Sequence, residues 1–211
     1  MKNFRFPDFG LLLTVGLAIA AFNSCGNEDV IDGDLPGIVI SGVKWATGNV
    51  DNPGTFAANP EDAGMLYQWN RKLAWPPTGD ITNWNRSVPT GAAWKKENDP
   101  CPAGYRVPTL NEIKTLLTTG KVSHEWTSVN DINGRKFTDK NSGNSIFLPA
   151  VGCRGSDEGT LFNNDLKGFY WCSTQDESGF ACYLNFDEGK AGWDWNGDRS
   201  HGFSVRCVAK K

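Results

Sequence analysis

The chain has 211 residues, a formal net charge of -3 and a sequence isoelectric point near 5.4, and it contains 9 Trp and 24 Gly. This length suffices for one domain with a hydrophobic core. The acidic balance argues against a nucleic-acid-binding protein, which presents a basic face. The content of Trp and Gly favours a loop-rich fold over a helical bundle.

The first residues have the features of an export signal, and we set them aside from the fold. Lys2 and Arg5 precede an apolar run, residues 11–22, that is shorter than the roughly 20 residues of a membrane span. Cys25 falls where cleavage is expected, so residues 1–24 resemble a lipoprotein signal peptide whose removal leaves an acylated Cys25. A plain secretory signal with an incidental cysteine is the alternative.

Residues 25–37 contain an acidic, glycine-containing stretch, GNEDVIDGD, which predicts a flexible tether. Acidic residues after an acylated cysteine resemble the surface-export signal of Bacteroidota lipoproteins. A solvated linker with no targeting function is the alternative. The folded domain is predicted over residues 38–211.

Cysteine usage agrees with export. Of the 6 Cys, setting Cys25 aside leaves five, and cysteine at this level in an exported domain usually indicates disulfides. The odd number leaves at least one cysteine unpaired within the monomer.

The first half of the domain predicts short strands and long loops. Residues 38–50 are expected to form a first strand and its exit, and residues 65–69 a second strand or a short helix. Residues 73–94 show neither a helix period nor a strand period, so we expect a long ordered loop that its indoles pin to the core.

One helix is predicted after Pro108. Thr109 and Glu112 have the spacing of a capping box, and an apolar face follows it, formed by Leu110, Ile113, Leu116 and Leu117. Gly120 is expected to end the helix.

The second half predicts strands. They are residues 145–152, a hairpin of residues 168–174 and 180–186 around residues 176–179, and a last strand at residues 202–209. With few helices, antiparallel strands and long ordered loops, the expected class is α+β.

Six motifs, in order along nearly the whole domain, resemble the Fibrobacter succinogenes major paralogous domain family. They are WATGNV from Trp45, GMLYQWNRKLAWP from Gly64, NDPCPAGYRVPT from Asn98, FLPAVG from Phe147, GFYWCST with CYLNF, and GFSVRCV from Gly202. The resemblance implies a C-type-lectin-like fold, distantly similar to the formylglycine-generating enzyme domain. It also implies an exported lipoprotein or surface module, although fold does not fix function.

The resemblance implies a disulfide between Cys101 and Cys207, because the family pattern keeps cysteines at both positions. The chain departs from that pattern at Cys153, Cys172 and Cys182. A hairpin register that pairs Tyr170 with Leu184 places Cys172 opposite Cys182, so we expect that second disulfide. A bridge from Cys153 to either hairpin cysteine is the rival.

A candidate binding segment precedes Cys207 in a way similar to the calcium motif of sugar-binding lectins. Asp194, Asn196 and Asp198 alternate and could supply three oxygen ligands to calcium. The inserted Gly197 breaks the lectin spacing, and the chain has no Glu-Pro-Asn or Gln-Pro-Asp tripeptide to supply the remaining calcium ligands. An Asx-rich turn without metal or other cofactor is therefore the favoured interpretation.

Four indoles are candidate sugar-stacking platforms: Trp193 and Trp195 beside Asp and Asn, and Trp75 and Trp84 in the long loop. For most of them we favour a structural role, in which the indole pins a loop to the core.

Catalytic signals are weak. The chain has two histidines, His124 and His201. Ser200 is next to His201 but is not in the Gly-x-Ser-x-Gly motif of a nucleophile elbow. No group of His and Cys residues has the spacing of zinc ligands. The formylglycine-generating enzymes hold copper through a cysteine pair in their final loops, whereas residues 192–204 contain no cysteine. We therefore expect no enzyme.

The sequence predicts a lipoprotein anchored in the outer membrane and exposed at the cell surface. Its lectin-like module would bind a glycan or another protein, and we expect no nucleic-acid partner. A structural or adhesin subunit of a surface assembly and a formylglycine-generating-like oxidase are the alternatives.

Overall fold

The structure is a computed structural model that describes Met1, residues 35–175 and residues 180–211, except for the side chains of Gln175 and Trp195. The predicted signal peptide, Cys25, most of the tether and the hairpin turn at residues 176–179 lie outside the described residues. The described part is mostly antiparallel sheet with one α-helix. Mainly β is therefore a better description than the expected α+β class.

The helix α1 spans Leu110–Leu116. The strands, in chain order, are β1 (Ile38–Ile40), β2 (Val43–Trp45), β3 (Leu66–Gln68), β4 (Ala74–Trp75), β5 (Tyr105–Arg106), β6 (Val122–Val129), β7 (Ile132–Asp139), β8 (Ser145–Pro149), β9 (Cys153–Arg154), β10 (Leu161–Phe162), β11 (Gly168–Gln175), β12 (Ala181–Phe186), β13 (Ala191–Gly197), β14 (Gly202–Phe203) and β15 (Val208–Ala209).

Four sheets contain these strands. Their orders are β1-β2-β15-β5, β10-β9-β14-β3-β4, β11-β12-β13 and β6-β7-β8. The first sheet brings the two ends of the domain together, because the last strand, β15, pairs with both β2 and β5. Leu35 is already buried and the Pro36 carbonyl accepts a hydrogen bond from the Tyr105 hydroxyl, so ordered packing is present three residues before the predicted domain start at residue 38.

The structure contains both expected disulfides. Cys101 is bonded to Cys207 across 106 residues, with Cα atoms 6.1 Å apart, and this bond fixes the end of the chain to the segment before α1. Cys172 is bonded to Cys182, with Cα atoms 5.5 Å apart, because β11 and β12 pair in the expected register, Tyr170 opposite Leu184. Cys153 is free and buried.

The helix begins as predicted. The Thr109 hydroxyl accepts from the Glu112 backbone N–H and the Glu112 carboxylate accepts from the Thr109 backbone N–H, which forms the capping box. The helix ends at Leu116, earlier than the predicted stop at Gly120. Its apolar face packs on a core cluster that includes β11 and β12 side chains.

Several other predictions of local structure were wrong. The expected first strand is a tight hairpin, β1–β2, because Ser41 and Gly42 both adopt positive φ and reverse the chain. The expected last strand is divided into β14 and β15. The Asx-rich turn expected at residues 193–198 is instead mostly strand β13, which pairs along β12.

The hairpin of β6 and β7 was missed, although its turn has a readable signal. Asn130 and Asp131 adopt φ of 48° and 64°, which suits a two-residue turn between strands. Alternation of apolar and polar residues is weak along β6, so periodicity alone gave no strand.

Buried arginines fix the long loops. Arg154 and Arg206 are about 1% exposed and each donates to backbone carbonyls of distant loop residues, such as Pro76 at 2.8 Å and Thr47 at 2.6 Å. Loop carbonyls lack partners in a sheet, and a guanidinium has five donors with which to satisfy them. Arg135 and Arg199 are also buried and bind loop carbonyls in the same manner.

Candidate functional site

A cavity of 300 Å³ lies where the β11-β12-β13 sheet meets the β10-β9-β14-β3-β4 sheet. We call it the aromatic pocket. Its walls come from six strands and adjoining loops, and the lining residues are Cys153, Phe162, Asn163, Phe169, Tyr183, Asn196, Gly197, His201 and Phe203.

Aromatic rings form the apolar walls of the pocket. The Phe203 ring stacks on the Phe169 ring, with centroids 5.2 Å apart, and on the deeper Trp171 ring, with centroids 4.1 Å apart. Tyr183 tilts against Phe203 at 5.2 Å. Phe162 is 50% exposed, so a large apolar ring also faces solvent.

A β-bulge brings Tyr183 and Asn196 together. Between the pairs Ala181–Gly197 and Tyr183–Asp194, β13 has one residue more than β12. The Tyr183 hydroxyl donates to Asn196 Oδ1 at 2.8 Å, so the Asn196 amide N–H groups remain as donors. Burial, with a contribution from Asp194, raises the pKa of Tyr183 to about 12, so its hydroxyl stays protonated at neutral pH.

Gly197 allows close packing behind the pocket. A Cβ at this position would lie 2.7 Å from the Trp171 ring, 2.8 Å from the Ala181 carbonyl oxygen and 2.9 Å from the Tyr183 ring. The glycine that departs from the lectin spacing is therefore required by the packing of β13 on β12.

His201 contributes an imidazole with a defined tautomer. Its Nδ1 lies 3.1 Å from the Asp198 carbonyl oxygen, and because a carbonyl only accepts, Nδ1 carries the proton. In the neutral ring Nε2 is then an acceptor. The Ser200 hydroxyl donates to Asp198 Oδ1 at 2.7 Å, so it is directed to a carboxylate and not to the neighbouring histidine.

Cys153 contributes a buried thiol. Burial raises the pKa of Cys153 to about 11, and the nearby Lys167 offsets this only in part. A thiol with this pKa is almost entirely protonated at neutral pH and is therefore a weak nucleophile and a weak metal ligand.

The predicted site residues of β13 lie on both faces of its sheet. Trp193 pairs opposite Leu184 on the side of the sheet that α1 covers, and the Lys114 ammonium lies 4.2 Å from the centroid of its ring. Asp194 pairs opposite Tyr183, on the side of the aromatic pocket, where Asn196 also lies. Trp193 is 37% exposed, and the side chain of Trp195 is outside the description.

Two of the three predicted calcium ligands already accept hydrogen bonds from protein groups. Asn196 Oδ1 accepts from Tyr183, and Asp198 Oδ1 accepts from the Ser200 backbone and hydroxyl. In the part of the chain that the structure describes, no group of three or more His, Cys, Asp or Glu side chains could hold a metal ion.

Trp75 and Trp84 are mostly buried and pack against each other. They are 8% and 9% exposed, their ring centroids are 4.8 Å apart, and Trp84 Nε1 donates to the Ser156 carbonyl. Trp84 forms one wall of a second cleft, of 630 Å³, that Arg154 also lines. Because Arg154 is already bound to four loop carbonyls, it has little capacity to bind a ligand there.

Sequence reasoning missed most of the aromatic pocket. Phe162, Phe169, Phe203 and Tyr183 are spread over more than 40 residues and stand in ordinary strand patterns, so no local spacing connects them. Only Asn196 was among the predicted binding residues, although the sequence also drew attention to Cys153 as a cysteine outside the two expected disulfides and to His201 as one of two histidines.

One protein family is similar to part of this chain. A family model described as Domain of unknown function (DUF8237) matches residues 121–208, somewhat less than half of the sequence, and this range contains every lining residue of the aromatic pocket. No curated protein and no solved structure matches the chain. No helix within residues 35–175 or 180–211 is long and apolar enough to cross a membrane.

Proposed function

We propose that this protein is a lipid-anchored surface module that binds a saccharide ring in the aromatic pocket and performs no catalysis. One observation supports this above the others: exposed and stacked rings line the same small cavity as an amide, a phenol and an imidazole. Binding sites for small ligands commonly combine apolar walls with a few polar groups that set orientation.

The pocket chemistry suits a neutral sugar. A sugar ring has an apolar C–H face that can pack on the half-exposed Phe162 ring, and hydroxyls at its rim that need both donors and acceptors. The Asn196 amide donates, and in the tautomer that keeps Nδ1–H on the Asp198 carbonyl the His201 Nε2 accepts. A volume of 300 Å³ is at the lower end for ligand sites, which fits one ring better than a polymer segment.

A C-type-lectin-like fold is part of the proposal. It is supported by the pairing of the last strand with an early hairpin, by the Cys101–Cys207 bond, and by long loops fixed by arginines instead of by regular structure. The motif resemblance to the Fibrobacter succinogenes major paralogous domain family agrees with it, and loops on a rigid scaffold are common binding surfaces.

The anchor is proposed from the sequence. Acylation of Cys25 would attach several acyl chains, which hold a protein on a bilayer far better than one chain does. Growth with a radioactive fatty acid should label the wild type and leave a Cys25→Ala variant unlabelled. Persistence of residues 1–24 in the mature protein would rule the anchor out.

Binding can be tested on the full chain as it accumulates in cells. Ligand-observed NMR with a panel of neutral mono- and disaccharides, with calcium and with EDTA, should give signals that Asn196→Ala and Phe162→Ala both weaken. Leu166→Ala is the control, because Leu166 is 64% exposed and does not line the pocket. Signals of equal strength in all variants would place any saccharide elsewhere, and the absence of signals would argue for a protein ligand.

An oxidase is the second candidate, because Cys153 and His201 line the same pocket. The raised pKa of Cys153 and the single cysteine argue against it, since the formylglycine-generating enzymes use a cysteine pair. Copper titration of the purified chain discriminates the two: binding that is lost in both Cys153→Ala and His201→Gln would favour the oxidase.

A further inference from the structure

A further cleft, of 570 Å³ and distinct from the one beside Trp84, opens on another part of the long loops. We call it the cationic cleft. It lies between the loop that joins β3 to β4 and residues 85–98, and three of its lining residues are the cations Arg71, Lys72 and Lys95. No Asp or Glu lines it, although the chain as a whole has a net charge of -3.

These cations have no carboxylate partner in the described structure. The ion pairs found there are Arg86–Glu158 and Arg106–Glu112, and neither involves the cleft. Lys72 and Lys95 are exposed. Three unneutralised positive charges on one concave surface create a field that favours an anion.

The walls of the cleft are held in position before any ligand binds. Arg71 donates from Nη1 to Gln68 Oε1 at 3.0 Å and from Nη2 to Ser87 Oγ at 2.7 Å. Asn70, 5% exposed, lies in the β3–β4 loop and joins it to the facing wall, because its side chain donates to the Thr90 carbonyl and accepts from the Lys95 backbone N–H. A preorganised site loses little conformational entropy on binding.

The remaining lining resembles a sugar site more than a simple ion site. Leu73 and Val88 are 59% and 57% exposed, so the cleft offers apolar surface to solvent. The Asn85 amide N–H groups and the Thr90 hydroxyl add neutral polar groups, whereas Asn85 Oδ1 and the Ser87 hydroxyl are already hydrogen-bonded to each other. Phosphate or sulfate alone would use the charges and leave the exposed apolar side chains Leu73 and Val88 without a role.

We propose that the cationic cleft binds an acidic saccharide, a sugar chain that carries carboxylates. The carboxylates would pair with Lys72, Lys95 and Arg71, the C–H faces would pack on Leu73 and Val88, and the hydroxyls would meet the amides. This proposal extends the proposed glycan-binding function to a second site. Because the cleft shares no lining residue with the aromatic pocket, each site can be tested by variants that leave the other intact.

The test is calorimetric titration of the full chain with a galacturonate trisaccharide, with the neutral galactose trisaccharide as the uncharged counterpart. The double variant Lys72→Gln with Lys95→Gln should bind the galacturonate about tenfold more weakly than the wild type, and added salt should weaken wild-type binding. Lys190→Gln with Lys211→Gln is the matched control, because both are exposed lysines outside the cleft and the charge change is the same.

The outcomes distinguish the cationic cleft from the aromatic pocket, and they distinguish an acidic saccharide from a simple anion. Retained affinity in the Lys72 and Lys95 variant, or equal affinity for the neutral trisaccharide, would overturn the proposal. Inorganic phosphate that binds as tightly as the galacturonate would overturn its saccharide part. Loss of galacturonate binding in Asn196→Ala with no loss in the lysine variant would assign the ligand to the aromatic pocket, whereas the reverse pattern supports the cleft even if the pocket binds nothing.

Discussion

The Arg206 guanidinium donates through Nε to the Asn49 side-chain oxygen over 3.0 Å, and both residues are fully enclosed by protein. The same guanidinium donates to the Thr47 and Pro60 carbonyls. Burial lowers the pKa of Arg206 to about 10, so the group remains a cation at neutral pH. A buried charge held by neutral acceptors thus joins the segment before β15 to residues 46–63.

Replacement of this cation should be costly. Arg206→Met leaves several buried oxygens without donors, and we expect the free energy of unfolding to fall by about 3 kcal/mol. Arg86→Met, at a side chain that is 67% exposed, should change it by less than about 0.5 kcal/mol. Urea denaturation measures both, and similar losses in the two variants would show that the carbonyl contacts contribute little.

Two glycines of β13 offer a matched pair. Gly197→Ala places a Cβ against Trp171, and we expect a loss of about 1–3 kcal/mol and a narrower aromatic pocket. Gly192→Ala meets no atom within 4 Å, so it should be neutral or stabilising by up to about 1 kcal/mol. Thermal unfolding of both variants tests this, and a neutral Gly197→Ala would mean that β13 moves away from β12 at low cost.

The two disulfides should differ in their contribution to stability. In the chain-entropy model, the bond across 106 residues stabilises by about 4.7 kcal/mol and the bond across 10 residues by about 3 kcal/mol. We expect Cys101→Ser with Cys207→Ser to lower the urea midpoint more than Cys172→Ser with Cys182→Ser does. Peptide mapping of envelope protein should find all four sulfurs oxidised, and a free Cys101 or Cys207 would contradict the architecture.

Cys153 should react slowly in the native protein. With its pKa raised to about 11, the thiolate fraction at pH 8 is about a hundredfold below that of an ordinary thiol. Iodoacetamide labelling of the Cys153 peptide, followed by mass spectrometry, should speed up as the pH rises towards 11 and should become fast in urea. Rapid native labelling, or a dimer on a non-reducing gel, would favour the alternative in which Cys153 bridges subunits of a surface assembly.

Asp139 should make stability depend on acid pH. Backbone N–H groups of Ser41, Ser142 and Asn141 donate to its carboxylate and lower its pKa below the ordinary value. The unfolded chain therefore takes up this proton first, so the stabilisation is complete above about pH 4 and is lost as the pH falls through the lowered folded pKa. Asp139→Asn should be less stable at pH 7 and lose less between pH 5 and pH 2, as measured by urea unfolding. An unchanged slope would exclude this carboxylate as the cause.

Short sequence patterns predicted structure correctly where the interacting residues are close in the chain or follow a regular strand alternation. The Thr109–Glu112 capping box depends on four adjacent residues, and the register of Tyr170 on Leu184 follows from strand periodicity. The division of the last strand and the early end of α1 depend on partners distant in sequence. For the same reason, the spacing around Asn196 suggested calcium, whereas the Tyr183 hydroxyl of the neighbouring strand binds its side-chain oxygen.

The sequence by itself determined the helix start, the strands β8, β11 and β12 and the expectation that cysteines pair, because each depends on backbone preferences or on regular alternation. The tertiary structure alone decided which side chains share a cavity. Phe162, Tyr183 and Phe203 meet because separate sheets pack together, and Arg71, Lys72 and Lys95 line one cleft because two loops fold onto each other. Contacts of this kind arise from packing between elements far apart in the chain, which no local pattern encodes.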